Sequence, residues 1–447
     1  MAEPVFKKRR ELHNRINRGA SQTAMMFKSG STNVAFEQQT IGIATGYLGG
    51  MAPTIRNVVS DDFNEEYLKI LNDVLRFNDF GSKYLEMVRE TLSTNAHYWY
   101  TYLDKKGRII FSAVNSLDSV CFYDYAIEPM PILFLRRWKE KAIEIVEIIT
   151  EEKIVKYHKN NNSGDYTFYD EFLLIGGDLP ICSFENITDV ALVEPILPLI
   201  DMYEQIVQNI RSMTEYNDNA TLVMTGYSFN TPYLSDDGVN KSHKRIQEEL
   251  DIATARVLST DSDGGFNWLI KNVDYTGLLE VLKSVQQLIM FTISSPDTTD
   301  TTFSSAESSL ALRLKMFPFE QVTTLWKSIY KKQILRLIEL ITNILNFKKD
   351  PKITMSDLIF MSREEKESRG LYDFTNIEVI VNTNVPSDEI KDIEKAVALQ
   401  NMGLSMTTVL SQIKSIDNIQ EEIERMDKQQ QDEYLIYANK KKDIERI

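Results

Sequence analysis

The side chains that could do chemistry are few and scattered. The four histidines, His13, His97, His158 and His243, stand far apart, with no pair at metal-ligand spacing and no CxxC beside them. Cys121 and Cys182 each sit inside a strand-like apolar run. Two thiols cannot build a disulfide framework, so both read as small buried hydrophobes. The glycine pairs Gly49-Gly50, Gly176-Gly177 and Gly264-Gly265 lack GxGxxG spacing, and no GxxxxGK[ST] phosphate loop or GxSxG nucleophile elbow occurs. The serines between Ser304 and Ser309 have no nearby histidine to activate them. Asp297 and Asp300 are the carboxylate pair on which a metal-dependent enzyme could be built. The expectation is nonetheless no enzyme, no catalytic residue, no metal and no cofactor.

Composition agrees with a folded structural protein. The 447 residues are long for one hydrophobic core, and 43% hydrophobic with 26% charged residues is ordinary for a globular chain. A net charge of -15 argues against a protein that grips nucleic acid by broad neutralisation, though not against DNA passing by unheld. No window has the roughly 18 apolar residues of a membrane span, and the start, with Lys7, Lys8, Arg9 and Arg10, lacks an apolar leader core. The chain is expected to be neither secreted nor embedded. The run Lys7 to Arg10 and the run Lys440 to Lys442 read as solvated termini, with contact to DNA as the alternative.

The elements that must position any site follow from periodicity and predict a mixed α+β, predominantly helical chain. Apolar spacing of three and four from about Asn64 to Ser93 predicts a helical pair. A hairpin follows, Tyr98 to Leu103 and Arg108 to Phe111 around Asp104-Lys105-Lys106-Gly107, then an antiparallel meander over Ser119 to Tyr123, Ile132 to Trp138, Ala142 to Ile149, Lys153 to His158 and Tyr166 to Ile175. Ile196, Leu199, Ile200, Tyr203, Ile206, Val207, Ile210 and Met213 form one stripe of a long amphipathic helix, with Glu194, Asp201, Glu204 and Glu215 on its other faces. A second helix is expected from Leu278 to Ser294 and a third from about Ser308 to Leu345, kinked near Met316 or Phe317 by Pro318.

Between the first two lies a small α/β module, with short strands at Leu222 to Met224, Val257 to Ser259 and Trp268 to Ile270. Between the last two, Ser295 to Ser305 is rich in Thr, Ser and Asp, which favour loops and caps. Later come a strand at Ile377 to Val381 and a helix capped by Ser387 or Asp388 that runs through Leu399 and ends at Gly403. From Asp417 the pattern is helical but highly charged, as in a solvent-exposed or frayed helix.

In this order, five segments resemble the portal proteins of tailed double-stranded DNA bacteriophages, particularly the siphophage family of Gram-positive hosts. They are Tyr47 to Pro53; the hairpin Tyr100 to Ile109 with Val120 to Asp124; Gly177 to Ile181 with Leu199 to Tyr203 and Ala220 to Gly226; Ser295 to Phe303 with Ser308 to Leu312; and Asn384 to Pro386 with Ala396 to Gly403, Ser405 and Thr408. Where family members often carry Ser-Gly-x-Ala-Leu this chain has Ser308-Ser309-Leu310-Ala311-Leu312, a more helical backbone.

The resemblance implies a portal fold with wing, stem, clip and crown, assembled as a closed ring of about twelve subunits. It implies a wing over 1–189, stem helices over 190–219 and 275–295 and a clip over 220–274. A tunnel loop would occupy 296–307, a kinked wing helix 308–346, wing strands 347–385 and crown helices 386–447. Asp297, Thr298, Thr299, Asp300, Thr301, Thr302 and Phe303 would project towards the axis, although a plain surface loop is the default without the resemblance. Glu194, Asp201, Glu204 and Glu215 would give the channel a slippery or outward-facing acidic surface, Lys283 a sparse belt centring the duplex, and Trp268 a clip interface or an internal core contact. The implied partners are double-stranded DNA in transit, the large terminase, a head-completion adaptor, and the major capsid and scaffolding proteins, at the portal vertex of the virion after assembly in the host cytoplasm. The rival reading is an adaptor or connector ring of another fold, lacking the stem and tunnel loop.

Overall fold

The computed structural model describes residues 2–22, 35–59, 61–140, 143–159, 165–174, 178–186, 190–218, 221–225, 232–234, 240–254, 265–269, 275–296, 309–353, 355–384 and 389–410, with 422–423, 425–426 and 428–429. In chain order the elements are α1 (Ala2–Gln22), α2 (Phe36–Gly49), β1 (Thr54–Asn57), α3 (Asp62–Phe77), α4 (Phe80–Thr94), β2 (Ala96–Leu103), β3 (Ile109–Val114), β4 (Ser119–Tyr123), β5 (Pro131–Glu140), β6 (Ile143–Ile149), β7 (Lys153–Lys159), β8 (Tyr166–Leu173) and β9 (Ile181–Glu185). There follow α5 (Leu197–Asp218), β10 (Thr221–Thr225), α6 (His243–Thr254), β11 (Gly265–Leu269), α7 (Tyr275–Thr292), α8 (Ser309–Lys349), α9 (Met355–Phe360), α10 (Arg363–Ser368), β12 (Ile377–Ile380), α11 (Glu389–Asn401) and α12 (Met406–Leu410). The chain is thus mixed α+β with helix predominant, as its periodicity predicts.

Local chemistry sets the boundaries. Asp61 caps α3 by accepting the Asn64 N–H at 2.7 Å. Asn95 ends α4 in the left-handed region at φ 66°, where an asparagine is tolerated. At the β2–β3 turn the Asp104 carboxylate accepts the Lys106 and Arg108 N–H groups, both at 2.8 Å, while Gly107 takes φ 74°. Gly403 follows α11 at φ 83° and donates its N–H to Gln400, so the expected glycine stop is in place. Pro318 lies inside α8, a single helix of 41 residues that continues through it. That proline forfeits one backbone hydrogen bond.

The central core joins α2, α3 and α4 to the sheet β3-β2-β9 and to α8, with Tyr67, Tyr84, Trp99, Phe111, Phe184, Phe319 and Tyr330 fully buried. Covered on both faces, β2 reads as a near-continuous apolar run. Its far side meets the antiparallel meander β4-β5-β6-β7-β8 through Tyr98, Phe134, Ile149 and Ile181. In that meander the buried Glu147 carboxylate lies opposite Arg136, which bonds it, and 3.5 Å from Lys156. Both cysteines are free and buried, and burial pushes each thiol up to about 12.

Two features were not legible in the periodicity. The first is β1, which pairs with β12 from Thr54–Ile380 to Asn57–Ile377 and so ties an early segment to a late one. The second is α1. Its basic run is only partly solvated: Lys7 is exposed, whereas Arg9 is 5% exposed and donates to the Tyr98 hydroxyl at 3.0 Å, the Ser116 and Ser119 carbonyls at 3.1 and 2.7 Å, and the Glu185 carboxylate at 2.8 Å. The expectation of a merely solvated start fails at Arg9, which falls between Phe6, Leu12 and Ile16 on the apolar face of α1, and holds at Lys7. Between residues 347 and 385 the described residues hold two short α-helices and a 3-10 turn (Phe374–Asn376) beside the one expected strand.

Candidate functional site

The elements that would form a channel wall are α5 and α7. Asn217 near the end of α5 reaches Tyr275 at the start of α7, while Ile196 and Ile200 at the other end pack with Val285, Ile289, Met290 and Ile293, so the two helices run antiparallel. Ile16 of α1 and Phe36 and Ile41 of α2 complete that cluster, with Phe36 edge-on to Tyr203 at 5.0 Å. The pair is therefore rooted in the body at one end. Along the pair Met202, Tyr216, Leu279, Val281, Leu288 and Phe291 are exposed, with Phe291, at the rooted end of α7, exposed by 80%.

Electrostatics at the root come from α1. Arg15 donates to Asp201 at 2.5 Å, to the Leu197 carbonyl at 3.2 Å and to Glu37 at 3.3 Å. Burial works against the Arg15 charge, yet the bonds to Asp201 and Glu37 outweigh it and raise its pKa. Glu194 accepts the Ala191 N–H and pairs with Lys8, each at 3.2 Å. Two of the four acidic candidates are thus engaged by the N-terminal helix. Glu204 is half-buried on α5, Glu215 pairs with Arg211 one turn back at 2.8 Å, and Lys283 is exposed on α7. The structure does not gather these five into one cluster. Arg9 and Arg15 were missed as positioning residues, although Phe6, Arg9, Leu12 and Ile16 already share one face at helical spacing.

At the end of α7 the Ser295 N–H bonds the Met290 carbonyl and the Ser294 N–H bonds Phe291, both at 3.0 Å. This is a Schellman turn with Ser294, not glycine, in the left-handed position at φ 52°. Ser295 and Pro296 are buried behind it. The segment Asp297 to Phe303, with Asp297, Thr298, Thr299, Asp300, Thr301, Thr302 and Phe303, lies outside the described residues. Between the two helices, β10 and β11 pair antiparallel with Trp268 opposite Leu222, and α6 accompanies them; the strand expected at Val257 to Ser259 lies outside the described residues. So does most of the charged stretch from Asp417. Among the described residues no cluster of three or more His, Cys, Asp or Glu could hold a metal, and no helix is long and apolar enough to cross a membrane.

A family model described as phage portal protein, SPP1 Gp6-like, matches residues 14–434. The chain belongs to this family. Portal proteins are structural components of phage particles that serve as the channel for DNA packaging, and that is the role membership gives this chain. No curated protein matches it. Among solved structures, a similarity of 11% identity and TM-score 0.41 is found with a chain from "Virion of native gene transfer agent (GTA) particle", covering 89% of this chain and 97% of that one. A chain from "Neck of native GTA particle computed with C12 symmetry" gives 11% identity and TM-score 0.43 over 88% and 93%, and one from "Neck of empty GTA particle computed with C6 symmetry" gives 12% and 0.41 over 78% and 94%. At these scores the likeness is too weak to carry an argument.

Proposed function

We propose that copies of this portal protein close into a ring of about twelve, with α5 and α7 as the stem around a duplex-wide channel. The observation that carries this is the set of exposed apolar side chains along the helical pair, headed by Phe291, since a closed ring would bury them against the next copy. The 22 residues of α5 extend about 33 Å, beside which a duplex places roughly 20 phosphates. A wall of cations would hold such a duplex tightly, whereas Asp201 and Glu194, already matched by Arg15 and Lys8, offer DNA little net attraction.

In this reading 1–189 and 347–385 form the wing, 190–219 and 275–295 the stem, 220–274 the clip, 296–307 the tunnel loop, 308–346 a wing helix and 386–447 the crown. Large terminase and a head-completion adaptor dock on the clip, capsid and scaffolding proteins surround the wing, and the ring occupies the portal vertex. Negative-stain imaging of the purified chain tests the ring: top views with a central opening are expected, and a compact monomer or a closed particle without a hole would refute it. Substituting Asp297 and Asp300 should change DNA packaging or retention while rings survive, and unchanged packaging and retention would remove the tunnel-loop role.

A further inference from the structure

This acidic chain carries one surface of the opposite sign. Across 104–108 and 348–352 stand six bases, Lys105, Lys106, Arg108, Lys348, Lys349 and Lys352, against two acids, Asp104 and Asp350, an excess of four in a chain of net charge -15. The fold joins the two segments: Lys348 donates to the Gly107 carbonyl, and Leu103 of β2 lines the same cavity as Phe347 and Ile353. All six bases are exposed. Both acids are engaged locally, Asp104 by Arg108 at 2.7 Å and by two N–H groups of the turn, Asp350 by the Lys352 N–H at 3.1 Å. Among the described residues none of the five lysines has a carboxylate within salt-bridge distance, whereas Lys332 and Lys366 each have one. Lys349 donates to the Gly370 carbonyl at 2.7 Å and lies 3.3 Å above the Tyr372 ring, which holds its charge in place.

Helix chemistry accounts for only part of this gathering. Lys348 and Lys349 close α8, whose last carbonyls carry about half a negative charge, enough to offset one lysine. Lys105, Lys106 and Lys352 lie off that helix and answer no such need. Like charges held together without counter-charges attract a polyanion, which gains further by releasing its own condensed cations. The polyanion that a portal protein handles is duplex DNA. We propose that this patch binds the backbone phosphates of duplex DNA on the body of the subunit, at a place separate from the stem. Lysine meets phosphate as a point charge, so the contact is blind to base sequence. None of the six bases belongs to α5, α7 or the cluster that roots them, so the contact is independent of ring closure.

The test uses the full-length protein and two probes, a relaxed closed-circular duplex, which has no end to thread through a ring, and a fluorescent duplex of about 12 base pairs for anisotropy. The parent should bind both. Four phosphates neutralised per copy give a salt slope of about -3.6, so affinity for the short duplex should fall about 150-fold between 50 and 200 mM salt. Changing Lys105, Lys106, Lys348 and Lys352 together to glutamine should weaken binding at low salt roughly 100-fold and flatten the slope to below about 1, with circular dichroism unchanged. Asp350→Asn keeps the acceptor for the Lys352 N–H and should tighten binding a few-fold. No binding of the closed circle by the parent, or the same affinity and slope in the folded glutamine variant, overturns the proposal. Displacement of the duplex by poly-L-glutamate at equal charge overturns the assignment to DNA and gives the patch to an acidic protein. Missing rings in negative stain would sink the ring reading and leave these comparisons standing.

Discussion

Replacing Arg9 with methionine should destabilise the protein far more than its place in a short basic run near the start would imply. The Arg9 side chain is 6% exposed and Glu185, its partner, 17%, so the pair is buried. The guanidinium also supplies bonds to two main-chain carbonyls and to Tyr98, whose hydroxyl in turn bonds Glu185. Arg9→Met keeps the packing volume but strands a buried carboxylate and two carbonyls, a loss of about 3–5 kcal/mol. Lys7→Ala is the control, because Lys7 is 77% exposed and only 4.0 Å from Glu11, worth less than about 0.5 kcal/mol. Urea titration followed by tryptophan fluorescence, with Trp99 in the adjoining core, measures both, and hydrogen exchange over α1 reports whether that helix opens first. Restoring balance with Arg9→Met and Glu185→Leu together should recover part of the loss. If Arg9→Met and Lys7→Ala differ by less than about 0.5 kcal/mol, the reasoning about this buried network is wrong.

Burial holds the His97 imidazole down at about 4 from an ordinary 6.5, so its contribution is complete above pH 6.5 and is lost as pH falls towards 4; a loss on the order of 3 kcal/mol is expected over that window, and His97→Phe should flatten that part of a stability–pH curve measured in urea. A methyl group at Gly50 would lie 2.4 Å from the Gly46 carbonyl and 2.8 Å from the Asn384 amide, so Gly50→Ala should cost about 1–3 kcal/mol in chemical denaturation, whereas Gly81→Ala, with open space around it, should cost far less. Leu288→Asp with Phe291→Asp should leave the circular dichroism of the subunit unchanged and abolish rings in negative stain; persistent rings would show that these side chains are not the subunit contact.

Legibility tracked the range of the interactions. The hairpin at Asp104 to Gly107, the five-stranded meander and the amphipathic helices announce themselves because their signals, turn residues and apolar periods, lie within a dozen neighbours. The β1–β12 pair was invisible because Thr54 to Asn57 is too short to show a period and its partner lies beyond α8. The N-terminal helix was hidden by an arginine on its apolar face, where charge argues for solvent unless the partner carboxylate at Glu185 is known. At the candidate site, the acidic residues of α5 and of the turn before it could be read off, but not that Arg15 and Lys8 reach across to neutralise Asp201 and Glu194. The segment Asp297 to Phe303 was marked by composition, and the Ser294 turn that opens it carries no glycine to signal it.

The reliance of the central core on α8 carries a consequence for biosynthesis. Tyr84 and Trp99 leave the ribosome well before Phe319, Tyr330 and Ile341, the groups that seal them. At about 5–20 residues per second, these aromatic faces wait roughly 10–50 s for their cover. During that delay the nascent polypeptide is a customer for chaperones, and premature association between unfinished copies is the hazard. Because β12 must arrive after α8 to dock on β1, the finished subunit, and with it any assembly, waits until synthesis has passed Ile380.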